Sequence, residues 1–79
     1  MSPTVLRIGR YRFFFFSNEG FEPPHVHVQC GASLAKFWLS SAELSSSTGF
    51  VPHDLTELRA LVVEHRDELL EAWHEFFGS

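Results

Sequence analysis

Four consecutive phenylalanines, Phe13–Phe16, constrain the fold of this chain more than any other feature of its sequence. In an extended segment, neighbouring side chains point to opposite faces, so this run places aromatic rings on both faces at once. A strand of this kind is stable only where both of its faces are covered. We therefore predict a central strand over Tyr11–Phe16 that is buried on both sides.

Chain length makes the aromatic side chains still more important. The chain has 79 residues, nine of them Phe, and Cys30 is its only cysteine. Small domains bury only about 60% of their unfolded surface and often depend on disulfides or metals. A disulfide within the chain is excluded, and the sequence lacks the Cys/His spacing of a structural zinc finger. We expect a single domain over residues 1–79 whose aromatic side chains supply most of the core.

The first half of the chain predicts a small sheet. Its strand-like segments are joined by short connections, among them a Gly9-Arg10 pair that fits a two-residue hairpin turn. Short connections favour an antiparallel meander of about four strands. We assign residues 1–39 to the sheet and the serine-rich residues 40–52 to a loop. The predicted strands are Thr4–Ile8, Tyr11–Phe16, His25–Cys30 and Leu34–Leu39.

The last third of the chain predicts a helix. Over residues 53–77, apolar side chains recur at steps of three and four residues, which is typical of an amphipathic helix. Because this periodicity has no phase break, one long helix is favoured, with a break near His65 as the alternative. The predicted fold class is α+β, with this helix packed on the sheet.

The predicted helix carries more apolar surface than one sheet contact requires. A second apolar line runs beside the first, and two arginines lie between them. We predict that this side of the helix binds a partner protein or a second copy of the chain. The predicted interface residues are Arg59, Val63, Arg66, Leu70 and Phe77.

Charge is distributed unevenly along the chain. Residues 1–38 carry four cationic residues against two acids, whereas residues 39–79 carry two cationic residues against eight acids. This asymmetry predicts a basic sheet face and an acidic helix. The net charge of −4 argues against a protein that coats nucleic acid without specificity. With no signal-like start and no apolar run of about 20 residues, we expect a cytoplasmic protein.

Two histidines one residue apart are the sharpest candidates for chemistry. On a strand, His25 and His27 share a face and lie about 6.6 Å apart. They could act as general acid and base in a hydrolysis without a metal. Metal binding is an alternative that needs a third ligand, which only folding could bring from residues such as His53, Glu64 or His65. An ordinary pair of half-exposed strand histidines is the other interpretation.

Cationic and aromatic residues of the predicted sheet are candidates for phosphate or substrate binding. Arg10 and Arg12 are assigned to one face of their strand, and Lys36 and Trp38 share a face of another. If these faces coincide with that of the histidines, the sheet could bind RNA phosphates and stack bases on Trp38. The alternative is that the arginines are ordinary surface charges that pair with an acidic helix of a neighbour.

Several stretches of the sequence together resemble the small bacterial family called domain of unknown function 4160. The stretches are Pro3–Gly9, Tyr11–Ser17, Glu19-Gly20, Pro23–Val28, Ala35–Trp38, Glu64–Arg66 and Ala72-Trp73. The resemblance implies that the gene for this chain lies beside a gene for another small protein, in an arrangement like a toxin–antitoxin operon. This family is more often the toxin-like member, and it has no settled catalytic residues to carry over.

These observations lead to three functional hypotheses. The leading one is a toxin-like component of a cytoplasmic two-protein module that binds or cleaves RNA. In that hypothesis Arg12 and Lys36 bind phosphate, His25 and His27 provide acid–base catalysis, and no metal or cofactor is expected. The alternative is a non-catalytic interaction module that forms homo-oligomers or binds the neighbouring gene's product. The third is a metal-binding domain that uses the histidine pair.

Overall fold

The computed structural model describes residues 4–78, which form a five-stranded antiparallel sheet with two helices packed on one face. The strands are β1 (Thr4–Ile8), β2 (Tyr11–Phe14), β3 (His25–Cys30), β4 (Ser33–Trp38) and β5 (Leu44–Thr48). The helices are α1 (Pro52–Glu64) and α2 (Arg66–Phe77). Each strand pairs with the next in the order β1-β2-β3-β4-β5. The α+β class and the meander topology are therefore confirmed.

The fifth strand corrects the prediction of about four strands and of a loop over residues 40–52. β5 pairs antiparallel with β4, and all five of its side chains are exposed. Its sequence, Leu-Ser-Ser-Ser-Thr, has no alternation of apolar and polar residues because neither of its faces is buried. β5 is formed by main-chain hydrogen bonds to β4 at the edge of the sheet, so its side-chain pattern does not predict a strand.

The helical segment corrects the prediction of one helix over residues 53–77. The helix begins one residue earlier, at Pro52, and His65 separates α1 from α2 with φ −103° and ψ 15°. Hydrogen bonds continue across the break, because His65 N–H donates to Leu61 O at 3.0 Å and Leu69 N–H donates to His65 O at 2.9 Å. The periodicity of apolar residues is thus unchanged where the helical geometry is interrupted at His65. Within residues 4–78, no helix is long and apolar enough to cross a membrane.

The core lies between the sheet and the two helices. Phe13 and Phe15 are fully buried in it, and the Phe15 ring meets the Trp73 ring edge-on at 5.2 Å. Phe14 faces away from the helices and is also buried. The prediction of rings covered on both faces is confirmed, although β2 itself ends at Phe14 and lies next to the edge strand. The helices contribute Leu58, Val62, Leu69 and Trp73 to this core.

The sheet face opposite the helices is called the outer face below. The connection between β2 and β3, residues 15–24, lies against part of it, as its hydrogen bonds to β3 and β4 show. On the helix side, the Tyr11 hydroxyl donates to Glu57 Oε1 at 2.7 Å and joins β2 to α1. The pKa of Tyr11 is raised, chiefly because its hydroxyl proton is held by Glu57.

Candidate functional site on the outer face

Strand register brings most of the predicted site residues onto one face. In antiparallel strands, residues directly opposite each other point to the same side of the sheet. Phe14 lies opposite His27, which in turn lies opposite Lys36, and His25 lies opposite Trp38. The next row carries Arg12 opposite Gln29, and the Arg12 side chain donates to Gln29 Oε1 at 3.0 Å. The outer face therefore carries Arg12, His25, His27, Lys36 and Trp38.

Arg10 is not part of this group, so its placement beside Arg12 was wrong. It lies in the turn between β1 and β2, where strand alternation stops. There its Nη2 donates to the Tyr11 hydroxyl at 3.2 Å and lies 3.5 Å from Asp54 Oδ1 on α1. Arg7, which was not predicted as a site residue, lies opposite Arg12 on β1 and is exposed. Pairing counted outward from the Gly9-Arg10 turn places position 7 opposite position 12, so the sequence could have identified Arg7.

Two acidic residues of the loop over residues 15–24 point at the outer face. Consecutive turns position them, since Glu19 N–H donates to Phe16 O and Glu22 N–H donates to Glu19 O. Glu19 Oε1 lies 2.8 Å from Nε2 of His25 and 2.8 Å from Nε2 of His27. Neither acid was predicted from the sequence as a site residue. The sequence did distinguish them, because they are the only acidic residues among the first 38.

Glu22 holds the lysine of the site. Lys36 Nζ donates to Glu22 Oε1 at 2.7 Å and lies 4.7 Å from the centre of the Trp38 ring. The same Glu22 oxygen is 3.9 Å from His25 Nδ1. The loop therefore supplies one carboxylate for the histidine pair and another for the lysine, which reduces the positive charge of the outer face.

Both histidine rings are buried rather than half-exposed, at 0% exposure for His25 and 6% for His27. The His25 ring lies between Trp38 at 5.6 Å and Trp73 at 4.9 Å, measured between ring centroids. The His27 ring stacks on Phe14 at 5.5 Å and meets Phe16 edge-on at 4.5 Å. These aromatic contacts fix the direction in which each imidazole presents its nitrogen atoms.

Ionisation states follow from this packing. Burial raises the pKa of Glu19, but hydrogen bonds from His25 and His27 lower it by more, so the net shift is downward. Burial lowers the pKa of His27, and this outweighs the opposing effect of Glu19. At neutral pH the site therefore combines an ionised carboxylate with a neutral His27 imidazole.

The hydrogen-bond partners of the two histidine rings do not match the single N–H group that a neutral imidazole carries. His25 has an acceptor at each nitrogen, with Pro23 O 2.9 Å from Nδ1 and Glu19 Oε1 at Nε2. A neutral imidazole has one N–H and can satisfy only one of them. His27 Nδ1 is buried and has no hydrogen-bond partner among residues 4–78. Both acceptors at His25 are satisfied only if a second proton or another cation lies between Nε2 and Glu19 Oε1.

Glu19, His25 and His27 form a possible metal-ligand set. One ligand atom from each lies within 4.8 Å of the other two. Two imidazoles and a carboxylate are a donor set that divalent transition metals accept. The metal alternative required a third ligand, with His53, Glu64 and His65 as candidates, whereas the residue that folding brings to the pair is Glu19.

The predicted partner interface is divided between exposed and covered residues. Arg59 and Val63 lie on one exposed face of α1 with Thr56 and Ala60, and Val63 is 54% exposed. Leu70 and Phe77 are half-buried against the chain's own core. Arg66 Nη1 donates to Ser40 O at 3.1 Å. Phe76, which precedes Phe77 on α2, is 41% exposed.

Comparison with known proteins gives one match. A family model described as Domain of unknown function (DUF4160) matches residues 11–74, which include β2 to β5, the loop over residues 15–24, all of α1 and most of α2. Neither the search of curated proteins nor that of solved structures found a significant match.

Proposed function

The chain belongs to the DUF4160 family, and on this premise we propose that it is the toxin-like, RNA-binding component of a cytoplasmic two-protein module. The proposal assigns RNA binding to the outer face. The toxin-like role rests on the operon arrangement that the resemblance implies. The observation that supports RNA binding is the separation of charge between the two faces of the molecule.

Cations outnumber acids on the outer face, where Glu19 and Glu22 also lie, whereas acids outnumber cations on the helices. Arg7, Arg12 and Lys36 belong to β1, β2 and β4 and share the outer face by register. The helices carry two arginines against seven acids, namely Asp54, Glu57, Glu64, Asp67, Glu68, Glu71 and Glu75. A polyanion is therefore attracted to the sheet side and repelled from the helix side.

Aromatic rings accompany these cations. The Arg12 guanidinium lies 4.4 Å from the centre of the Phe14 ring, and Lys36 adjoins the half-buried Trp38. Sheet faces that combine cations with accessible aromatic rings bind single-stranded RNA by phosphate contacts and base stacking. Trp38 and Lys36 would contact the base and the phosphate of one nucleotide, and that phosphate would compete with Glu22 for Lys36.

The proposal does not assign RNA binding to the two histidines. Glu19 lies against the Nε2 atoms of both His25 and His27, and both rings are buried. An RNA 2′-hydroxyl could reach them only if residues 15–24 moved away. RNA binding is therefore assigned to Arg7, Arg12, Lys36 and Trp38, and acid–base catalysis by the histidine pair stays a prediction.

Fluorescence anisotropy with a labelled single-stranded RNA tests the proposed binding. Arg12→Ala is expected to weaken binding and to reduce the steepness of its salt dependence by about 0.7 for each phosphate that the variant no longer neutralises. Arg59→Ala is the matched control, because it removes the same charge from the exposed face of α1. Equal effects in the two variants, or no binding by the wild type, would contradict the proposal.

Induced expression of the chain alone tests the toxin-like role. The wild type is expected to arrest growth, and coexpression of the neighbouring gene's product is expected to relieve the arrest. Absence of arrest contradicts the role. Arrest by the His25→Ala/His27→Ala double variant would retain toxicity and exclude catalysis by the pair.

A second candidate function is a non-catalytic interaction module. It is favoured by the exposed face of α1, where the apolar residue Val63 is more than half exposed one turn from Arg59. Light scattering after size exclusion tests it, with Val63→Asp as the variant expected to disrupt association. A strict monomer, both alone and with the neighbouring gene's product, would exclude this function.

A further inference from the structure

We propose that Glu19, His25 and His27 bind one divalent transition-metal ion. This site is separate from the RNA contacts proposed above, because none of those contacts involves the three ligands. It also differs from the metal-independent role first assigned to the histidine pair. The proposal depends on the convergence of the three side chains, the acceptor at each nitrogen of His25 and the aromatic packing of both rings.

The three ligand atoms converge on a small volume. His25 Nε2 and His27 Nε2 each lie 2.8 Å from the same carboxylate oxygen, Glu19 Oε1. Two rings from one strand and a carboxylate from a preceding loop thus meet at one point, although six and eight positions separate them in the sequence. A metal bound to both nitrogen atoms at about 2.0–2.2 Å would lie close to the present position of Glu19 Oε1, so the carboxylate must move back to become the third ligand.

Hydrogen bonding at His25 favours a cation beside Nε2. Its Nδ1–H can donate to Pro23 O at 2.9 Å, as metal-bound histidines commonly donate to a backbone carbonyl. Nε2 then carries a lone pair directed at Glu19 Oε1, so a metal ion held between the two atoms takes the place of the proton of their hydrogen bond. The same ion can bind His27 Nε2, which lies 2.8 Å from the same oxygen.

Burial and packing hold the ligands in place. The His25 and His27 rings are fixed between aromatic side chains, so little rotational freedom is lost when a metal binds. The Glu19 side chain is 22% exposed, so the site opens to solvent at its carboxylate. Water or a substrate atom can complete the coordination there, as in catalytic zinc sites with three protein ligands.

A purely structural role explains the cluster less well. His27 Nδ1 is buried without a partner in the described part of the chain, and an unsatisfied polar atom costs stability. An apolar residue could fill the same space without that cost. Ligation at Nε2 gives the buried imidazole a role that an apolar side chain lacks, and it leaves Nδ1 without a partner among the described residues.

Another histidine cluster provides an internal control. On the helices, His65 Nδ1 lies 3.1 Å from Glu68 Oε1 and His65 Nε2 lies 3.3 Å from Glu64 Oε2. Each carboxylate takes a different nitrogen, and both carboxylate side chains are more than half exposed. These atoms do not converge, so this cluster should not bind a metal with the same affinity.

Calorimetric titration of purified, metal-stripped protein with Zn²⁺ tests the proposal. The wild type is expected to bind one Zn²⁺ per chain. Glu19→Gln keeps the size and hydrogen-bonding capacity of the side chain but removes its charge. We expect it to weaken binding by about 100-fold or more, since even partners outside the ligand set contribute about 10- to 100-fold.

Glu64→Gln is the matched control and is expected to bind Zn²⁺ as the wild type does. Circular dichroism establishes that each variant is folded. Loss of the one-to-one binding in folded Glu19→Gln, but not in Glu64→Gln, supports the site. No saturable binding by the wild type, or equal affinities in the two variants, would overturn it. RNA is absent from the titration, so its outcome is independent of the RNA-binding proposal.

Discussion

Glu22 and Lys36 form the closest charged pair on the outer face outside the histidine cluster. The carboxylate is 25% exposed and the lysine side chain 16% exposed, so each is partly shielded from solvent. Any phosphate that approaches Lys36 must compete with this carboxylate. In the proposed RNA-binding function, affinity therefore depends on a residue that need not contact the RNA.

Glu22→Gln is expected to tighten RNA binding by roughly 2- to 5-fold, because a partly exposed ion pair contributes up to about 1 kcal/mol. Anisotropy titrations with the same labelled RNA measure the change. Glu43→Gln removes an exposed acid elsewhere and should have a smaller effect. Weaker binding by Glu22→Gln would show that Lys36 does not contact phosphate.

Gly20, in the loop over residues 15–24, lies directly against Phe77 at the end of α2. A Cβ atom at this position would overlap the ring of Phe77. Gly20→Ala is therefore expected to destabilise the fold by about 1–3 kcal/mol, the usual cost of overpacking. Urea unfolding measures this change in the free energy of unfolding.

Phe77→Leu provides the control for Gly20→Ala. If the overlap with Phe77 causes the destabilisation, Gly20→Ala should cost less in the Phe77→Leu background than in the wild type. The same cost in both backgrounds would assign the effect to the loop backbone instead.

At the scale of elements, β5 differs from the other strands. It lies at the sheet edge, pairs with β4 and has only exposed side chains. Its opening disrupts few apolar contacts and is expected to cost little free energy. Backbone amides of β5 should exchange with solvent at least about tenfold faster than those of β3. Hydrogen exchange followed by NMR measures both, and equal protection would contradict this view of the edge.

Sequence patterns predicted the elements whose side chains determine them. β1 and β3 have the predicted bounds, and the burial of Phe13 and Phe14 on opposite faces follows from alternation along β2. β5 had no such pattern. The break at His65 leaves the apolar periodicity unchanged, and a pattern therefore cannot distinguish one helix from two.

The candidate site was predicted only in part, for a similar reason. His25, His27, Lys36 and Trp38 lie on alternating positions of two strands, so their shared faces could be anticipated. Glu19 and Glu22 lie in the loop, where no periodicity indicates direction. Their contacts depend on the turns of this loop, which place two carboxylates against strands that charge counting alone predicted to be basic.

At the scale of the whole molecule, the loop over residues 15–24 joins the outer face to the helical layer. Glu19 contacts the histidines of β3, while the Phe77 ring packs next to Gly20. Trp73 of α2 also touches His25. A ligand that binds only this folded arrangement should therefore stabilise the entire domain.

Zn²⁺ at about 100 times its Kd is expected to stabilise the wild type by about 2.7 kcal/mol. For a domain of this size, this raises the unfolding midpoint by roughly 10–20 °C. Differential scanning calorimetry with and without Zn²⁺ measures the shift. Glu19→Gln should show little of it, and a large shift in that variant would place the metal elsewhere.

The central claim is that the metal binds the histidine pair of the outer face, and long-range ¹H–¹⁵N NMR of the imidazoles tests it most directly. The chain has five histidines, so a single spectrum compares the predicted ligands with three internal controls, His53, His65 and His74. With one equivalent of Zn²⁺, the Nε2 resonances of His25 and His27 should change while those of the controls stay in place. Unchanged resonances for His25 and His27, or equal changes at the controls, would contradict the claim.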